Sequence, residues 1–176
     1  MLRFGLLQLI RGFDRDTQAM PGTFIDLDGR SVLLRAAIAS DVTSLLRFLS
    51  DLKLPTAGVE DWWADFTVAE SDGTLIGVAG IERYADGVLL RSVAVHAAWR
   101  STGLGQALVE TVLGRATWAG NRDAYLLTTT AERYFPRLGF TVISRATVPQ
   151  SVQQSVEFRE ACPASAVVMH RSIAPA

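Results

Sequence analysis

Apolar positions become regularly spaced from residue 31 onward. The run "SVLLRAA" (31–37) suits a first, half-buried strand. "SDVTSLLRFLSDLKLP" (40–55) then spaces Val42, Leu45, Leu46 and Leu49 as one face of a helix, with Ser40 or Asp41 as cap. Pro55 bars its continuation. "FTVAESDGTLIGVAGIERY" (66–84) reads as two strands joined by the Ser-Asp-Gly turn at 71–73, and Asp86-Gly87 opens the next turn. "VLLRSVAV" (88–95) supplies a fourth strand. After the loop "RSTGLG" (100–105), Leu104, Leu108 and Val112 recur every four residues, with Val109 and Leu113 alongside, and predict a helix ended by Gly120 and Asn121. "AYLLTTT" (124–130) predicts a fifth strand, and "AERYFPRLGF" (131–140) a short helix closed by Gly139. "TVISRA" (141–146) and "SAVVMHRSI" (165–173) predict two last strands. A meander followed by strand–helix–strand–helix–strand makes residues 31–176 one mixed α/β domain.

Residues 1–30 stand apart as an N-terminal extension. Leu2, Leu6, Leu9, Ile10 and Phe13 fall at helical spacing, but Gly5 and Gln8 interrupt them, and no signal-peptide cleavage pattern follows. A partner or membrane-surface helix is one reading; a loosely ordered extension, with Met20 as an alternative start, is the simpler one.

Composition narrows the function. The chain has 176 residues, is 49% apolar and 20% charged, and carries a formal charge of −1, which suits a globular protein and offers nucleic acid no basic face. Cys162 is the only cysteine, so no intrachain disulfide exists and the cytoplasm is the expected compartment. His96 and His170 lack ligand spacing, so no metal is expected, and no run is long enough to span a bilayer. Oligomeric state is not legible, and a homodimer stays open.

The loop at 100–105 is the chemical clue. A strand that stops at a glycine-containing turn before a helix leaves backbone N–H groups unpaired at the positive end of the helix dipole, which suits an anion. Gly103 and Gly105 would let a phosphate approach the backbone, and Arg100 could add a charge-assisted bond. The dinucleotide fingerprint fails at Leu108, and no Gly-Lys-Ser/Thr follows for a P-loop. The pattern strand, R-x-x-G-x-G, helix resembles the pyrophosphate loop of the GNAT superfamily of N-acetyltransferases. "LLRSVAVHAAWRSTGLGQALVETVL" and "RYFPRLGF" extend that resemblance over most of residues 31–172. "LLTTTAERYFPRLGF" with "VPQSVQQSVEFREACPASAVVMHRS" is similar, more narrowly, to the arsenic-resistance N-acetyltransferases.

The resemblance implies a mostly antiparallel sheet, flanked by helices and splayed at its fourth strand, with acetyl-CoA as cosubstrate. Pantetheine would pair with the backbone of Val93, Ala94 and Val95. The pyrophosphate would meet Arg100, Ser101, Thr102 and Gly103, then Leu104, Gly105 and Gln106. The implied reaction is direct acetylation of the amino group of a small molecule, an amino acid or a toxic arsenical or phosphinic analogue. A non-catalytic acyl-CoA-binding module is the alternative, and acetylation of a protein N-terminus or lysine a third reading.

That alternative is kept open by the family's usual acid, a tyrosine five residues before the closing phenylalanine. Counting back from Phe140 reaches Phe135, and Tyr134 would point about 100° away on a helix, as pocket wall or core. Glu82, near the end of the third strand, and Glu157, in the C-terminal loop, are the candidate bases; either could equally be an exposed charge. Arg91 lies inside an apolar strand, where a charge must be paired or at a pocket edge. It is expected to anchor a substrate carboxylate, with an ion pair to Glu82 as the alternative. Thr128 and Thr129 are candidate pocket-lining residues, or simply good strand formers. Cys162 is expected to be a packed or pocket-lining thiol, and His96 a turn residue.

Overall fold

The computed structural model describes residues 22–161 and 163–174. The helical spacing read at 2–13 and Cys162 both lie outside the described residues.

The polypeptide opens with a hairpin. β1 (Thr23–Leu27) pairs antiparallel with β2 (Arg30–Ala36) through Asp28 and Gly29, both at positive φ (54° and 74°). That two-residue turn matches the right-handed twist of the strands it joins. β1 lies inside the stretch 1–30 assigned above to the extension, and it forms the edge of the sheet. A second turn of the same kind, Asp72-Gly73, joins β3 (Phe66–Ser71) to β4 (Thr74–Tyr84). β5 (Gly87–Val95) follows antiparallel to β4. After a helix, β6 (Asp123–Thr128) enters parallel to β5, and β7 (Thr141–Ile143) and β8 (Val167–Ser172) complete the sheet. Among the described residues, eight strands run β1-β2-β3-β4-β5-β6-β8-β7, and only the β5–β6 pair is parallel.

Alternation along the central strands sorts side chains to two faces. On one face, α3 (Leu104–Trp118) buries Leu104, Leu108, Val112 and Leu113 against Ile76, Ile81, Val88 and Leu90. On the other, α1 (Val42–Asp51) and α2 (Val59–Trp62) set Leu45, Leu49 and Val59 on Phe66, Val68, Val78 and Ala94. Farther along that second face, α4 (Gln150–Gln153) and the turn Glu157–Ala161 bring Val152 and Phe158 onto Leu89, Tyr125 and Val168.

Two local features matter later. α1 ends in a Schellman motif: Leu54 N–H donates to the Leu49 carbonyl and Lys53 N–H to that of Ser50, each at 2.9 Å. Lys53 occupies the left-handed position (φ 58°) that glycine usually takes, at a cost of about 1 kcal/mol to an L-residue. The short helix expected over 131–139 is corrected to a turn and a 3₁₀ helix, Phe135–Leu138. Pro136 has no N–H to donate and Gly139 (φ 79°) ends the winding, so the apolar spacing there packs a tight turn instead.

Candidate functional site

The sheet opens where β5 and β6 part. They pair only at Val88 with Ala124 and Leu89 with Tyr125, and beyond these the ladder stops. The cause lies in β5 itself. Gly80 on β4 faces Arg91, but Val78 faces Ala94, so Ser92 and Val93 together oppose Ala79. Ser92 takes φ 54°, a β-bulge that turns the strand. The splay expected at the fourth predicted strand is therefore present, and that strand is β5. The resulting cleft has a volume of about 1080 Å³ and is walled by residues 89–95, 126–131 and 52–55 and by the loop before α3.

That loop divides its residues between two tasks. Arg100, Ser101, Gly103, Gly105 and Gln106 face the cleft, as do Val93, Ala94 and Val95. Thr102 and Leu104 form no part of its wall. Thr102 Oγ1 donates to the Trp99 carbonyl at 2.8 Å and accepts the Leu104 N–H at 3.4 Å, while Leu104 is wholly buried. Arg100 Nε donates to the Val95 carbonyl at 3.4 Å. Gly103 caps α3 with φ 93°, and nothing lies within 4 Å of where its Cβ would stand, so a ligand can reach the amides that begin the helix. Gly105 has a different reason to be glycine: a Cβ there would come within 2.7 Å of the Tyr134 hydroxyl.

Tyr134 stands on the cleft wall, one of the two places expected for it. Because the segment is not an α-helix, the register from Phe140 does not carry over. Phe135 is buried and packs edge-on against Phe140 at 5.8 Å; both it and Tyr134 contribute to the cleft wall, with the Tyr134 hydroxyl beside Gly105. Burial, and then the nearby Glu110 carboxylate, push the Tyr134 phenol above its ordinary pKa, so at neutral pH it holds its proton.

A buried polar network forms the cleft's inner side. Arg91, 4% exposed, is bonded through Nη1 to Glu82 Oε1, and its Nη2 lies 3.0 Å from Glu157 Oε1 in ion-pair contact. Nε donates to Ser92 Oγ at 3.2 Å. Tyr84 donates its hydroxyl to Glu82 Oε2, and burial followed by that carboxylate raises the Tyr84 phenol's pKa. Gly58, at φ 78°, caps α2 directly above, since a Cβ there would sit 2.9 Å from Arg91 Nη1. Glu82, 1% exposed, is behind Arg91 and not on the cleft wall, whereas Glu157 and Arg91 are on it. Both ends of the guanidinium face a carboxylate, but Nη2 makes no hydrogen bond among the described residues. The sequence reading missed Tyr84, although it stands two residues from Glu82 and so on the same strand face.

Thr128 and Thr129 both reach the cleft. Thr128 Oγ1 accepts the N–H groups of Ala131 (3.0 Å) and Thr130 (3.4 Å), so it shapes the turn toward Tyr134, and Thr129 is the exposed member. His96 caps a turn, its Nδ1 accepting the Ala98 N–H at 3.3 Å. Among the described residues, no cluster of three or more His, Cys, Asp or Glu side chains is placed to hold a metal, and no helix is long and apolar enough to cross a membrane.

Comparison with known proteins agrees with this geometry. Residues 62–142 match the family model of the acetyltransferase (GNAT) domain, which spans the central strands, the loop, α3 and the Tyr134 turn. An amino-acid acetyltransferase of Pasteurella multocida (strain Pm70) is 27% identical over 147 residues, 78% of this chain and 33% of that protein. The chain thus spans about a third of the length of the curated relatives it matches first. Among solved structures, N-acetylglutamate synthase from Neisseria gonorrhoeae, complexed with coenzyme A and N-acetyl-glutamate, superposes with a TM-score of 0.69 at 21% identity, covering 82% of this chain and 35% of that one. A GNAT-family acetyltransferase from Staphylococcus aureus Mu50 superposes at 0.68 with 16% identity, covering 81% of this chain and 99% of that one. The chain has the GNAT fold, and its residues 62–142 are similar to the GNAT acetyltransferase domain.

Proposed function

We propose that this chain transfers an acetyl group from acetyl-CoA to the amino group of a small molecule, an amino acid first of all. The observation that carries the reading is the parted β5–β6 ladder, facing a glycine-capped helix start with a protonated tyrosine at its side. The chain's residues fit the cosubstrate: β5 has backbone groups without a β6 partner, Gly103 leaves the α3 amides open, and Arg100 adds a cation. Acetyl-CoA supplies an activated thioester.

The chain's own groups would manage two protons. Glu157, on the cleft wall, takes the proton that the acceptor ammonium must lose, directly or through one water. Tyr134 gives its phenol proton to the departing sulfur as the new N–C bond replaces the C–S bond. Arg91 and Glu82 act behind Glu157 as positioning residues. An amino-acid acceptor is favoured by the matched acetyltransferases. The finer reading, a toxic arsenical or phosphinic amino-acid analogue, rests on the C-terminal stretch quoted above, from "LLTTTAERYFPRLGF" to "VVMHRS".

The test combines calorimetry of CoA with thiol release from acetyl-CoA across a panel of amino acids and their phosphinic and arsonic analogues. Tyr134→Phe is expected to lower kcat by roughly 10²–10³-fold, within the usual range for loss of a general acid, while CoA affinity stays within about threefold. CoA binding without turnover of any amine would instead support the non-catalytic binding module. Absence of CoA binding would remove both readings.

A further inference from the structure

Among the described residues, five that are not glycine have positive φ: Asp28, Lys53, Asp72, Ser92 and Ser101. The two aspartates sit in hairpin turns that welcome them. The other three, Lys53, Ser92 and Ser101, all line the cleft. Ser92 makes the bulge and Ser101 shapes the loop before α3. Lys53 does neither. It fills the capping position after α1, where glycine would serve the backbone better, with a long and costly side chain. Backbone strain of this kind persists where the side chain is wanted for something else.

Lys53 is also the only lysine in the sequence; the other sixteen basic residues are arginines. Its ammonium has no ion-pair partner among the described residues. The charge balance of the cleft supplies the second half of the argument. Arg91 is outnumbered by Glu82 and Glu157, so that cluster carries a net negative charge suited to an ammonium. Arg100 belongs to the loop before α3. Arg137 lines the cleft on the stretch after Tyr134, and the 52–55 wall offers a carboxylate on the same acceptor a further cation.

We propose that Lys53 binds the carboxylate of the acceptor and makes the enzyme selective for amines that carry an anionic group. The inference rests on the acetyltransferase reading of the cleft. Lysine serves here as a point charge, which suits a carboxylate, a phosphinate or an arsonate alike.

The experiment measures kcat/KM for L-amino acids and for the matching L-amino-acid amides, with acetyl-CoA and thiol detection. The wild-type enzyme should prefer the acids at least tenfold. In Lys53→Gly that preference should fall at least tenfold, chiefly through KM for the acid. Lys53→Asn, which also tolerates positive φ, should behave the same and so separate charge from backbone effects. Because glycine relieves the strain, Lys53→Gly should melt no lower than the wild type. An unchanged preference in both variants overturns the proposal, as does a wild-type enzyme that takes amides as readily as acids or takes neither. CoA affinity by calorimetry judges the reading of the cleft separately.

Discussion

Arg91 illustrates how a charge inside an apolar strand is resolved. Its place between Leu90 and Ser92 on β5 demanded either a partner or a pocket edge, and the folded chain supplies both at once. Two carboxylates contact the guanidinium, which is the ion pair weighed beside the substrate-anchor expectation. Removing one member of a buried pair leaves the rest uncompensated. Arg91→Met should therefore destabilise the protein by about 3–5 kcal/mol in denaturant unfolding. Glu82→Gln should cost less, about 1–3 kcal/mol, because the amide keeps an acceptor for Tyr84. Unaltered stability with a raised acceptor KM would restore Arg91 as the anchor. The chemistry of this site was partly legible. Arg91 stood out as a charge in an apolar strand, and Glu82 and Glu157 as candidate bases, but which of them meets the cleft depends on Gly58 and Glu157 arriving from distant segments. No local pattern encodes that.

Individual strands and helices were easier to read than the turns between them. β3, β4, β5 and α3 follow from alternation and four-residue spacing, because each buries a full face. β1 escaped notice, although Asp28-Gly29 between two alternating runs carries the hairpin signal. The 131–139 stretch misled because Ala131, Tyr134, Phe135 and Leu138 have helical spacing while Pro136 prevents the helix. A single bulge opens the cleft, and Ser92 is its key position. Ser92→Val, placing a β-branched side chain at φ 54°, should destabilise by about 1–3 kcal/mol and weaken CoA binding. Ser92→Gly should keep both properties near wild type. Calorimetry with thermal melts checks the pair, and a harmless valine would show that the bulge does not depend on that conformation.

At the scale of the whole molecule, three apolar clusters distribute over two faces of one sheet, and the cleft lies between the helices of the second face and the end of β6. A sheet that stops pairing in its middle acquires two extra edges in its interior, in addition to β1 and β7 at its ends. Edges of this kind recruit strands. Without ligand, the cleft-facing amides of residues 90–95 should exchange hydrogen with solvent faster than those paired to β4, despite lying on a central strand. Saturating CoA should slow them selectively, and equal exchange with and without CoA would show that the ligand does not complete the ladder. Under the proposed pairing with β5, the cosubstrate would serve as a temporary ninth strand. The ligand-free protein then faces the hazard common to exposed β edges, so its tendency to self-associate on storage should track how much of it is empty.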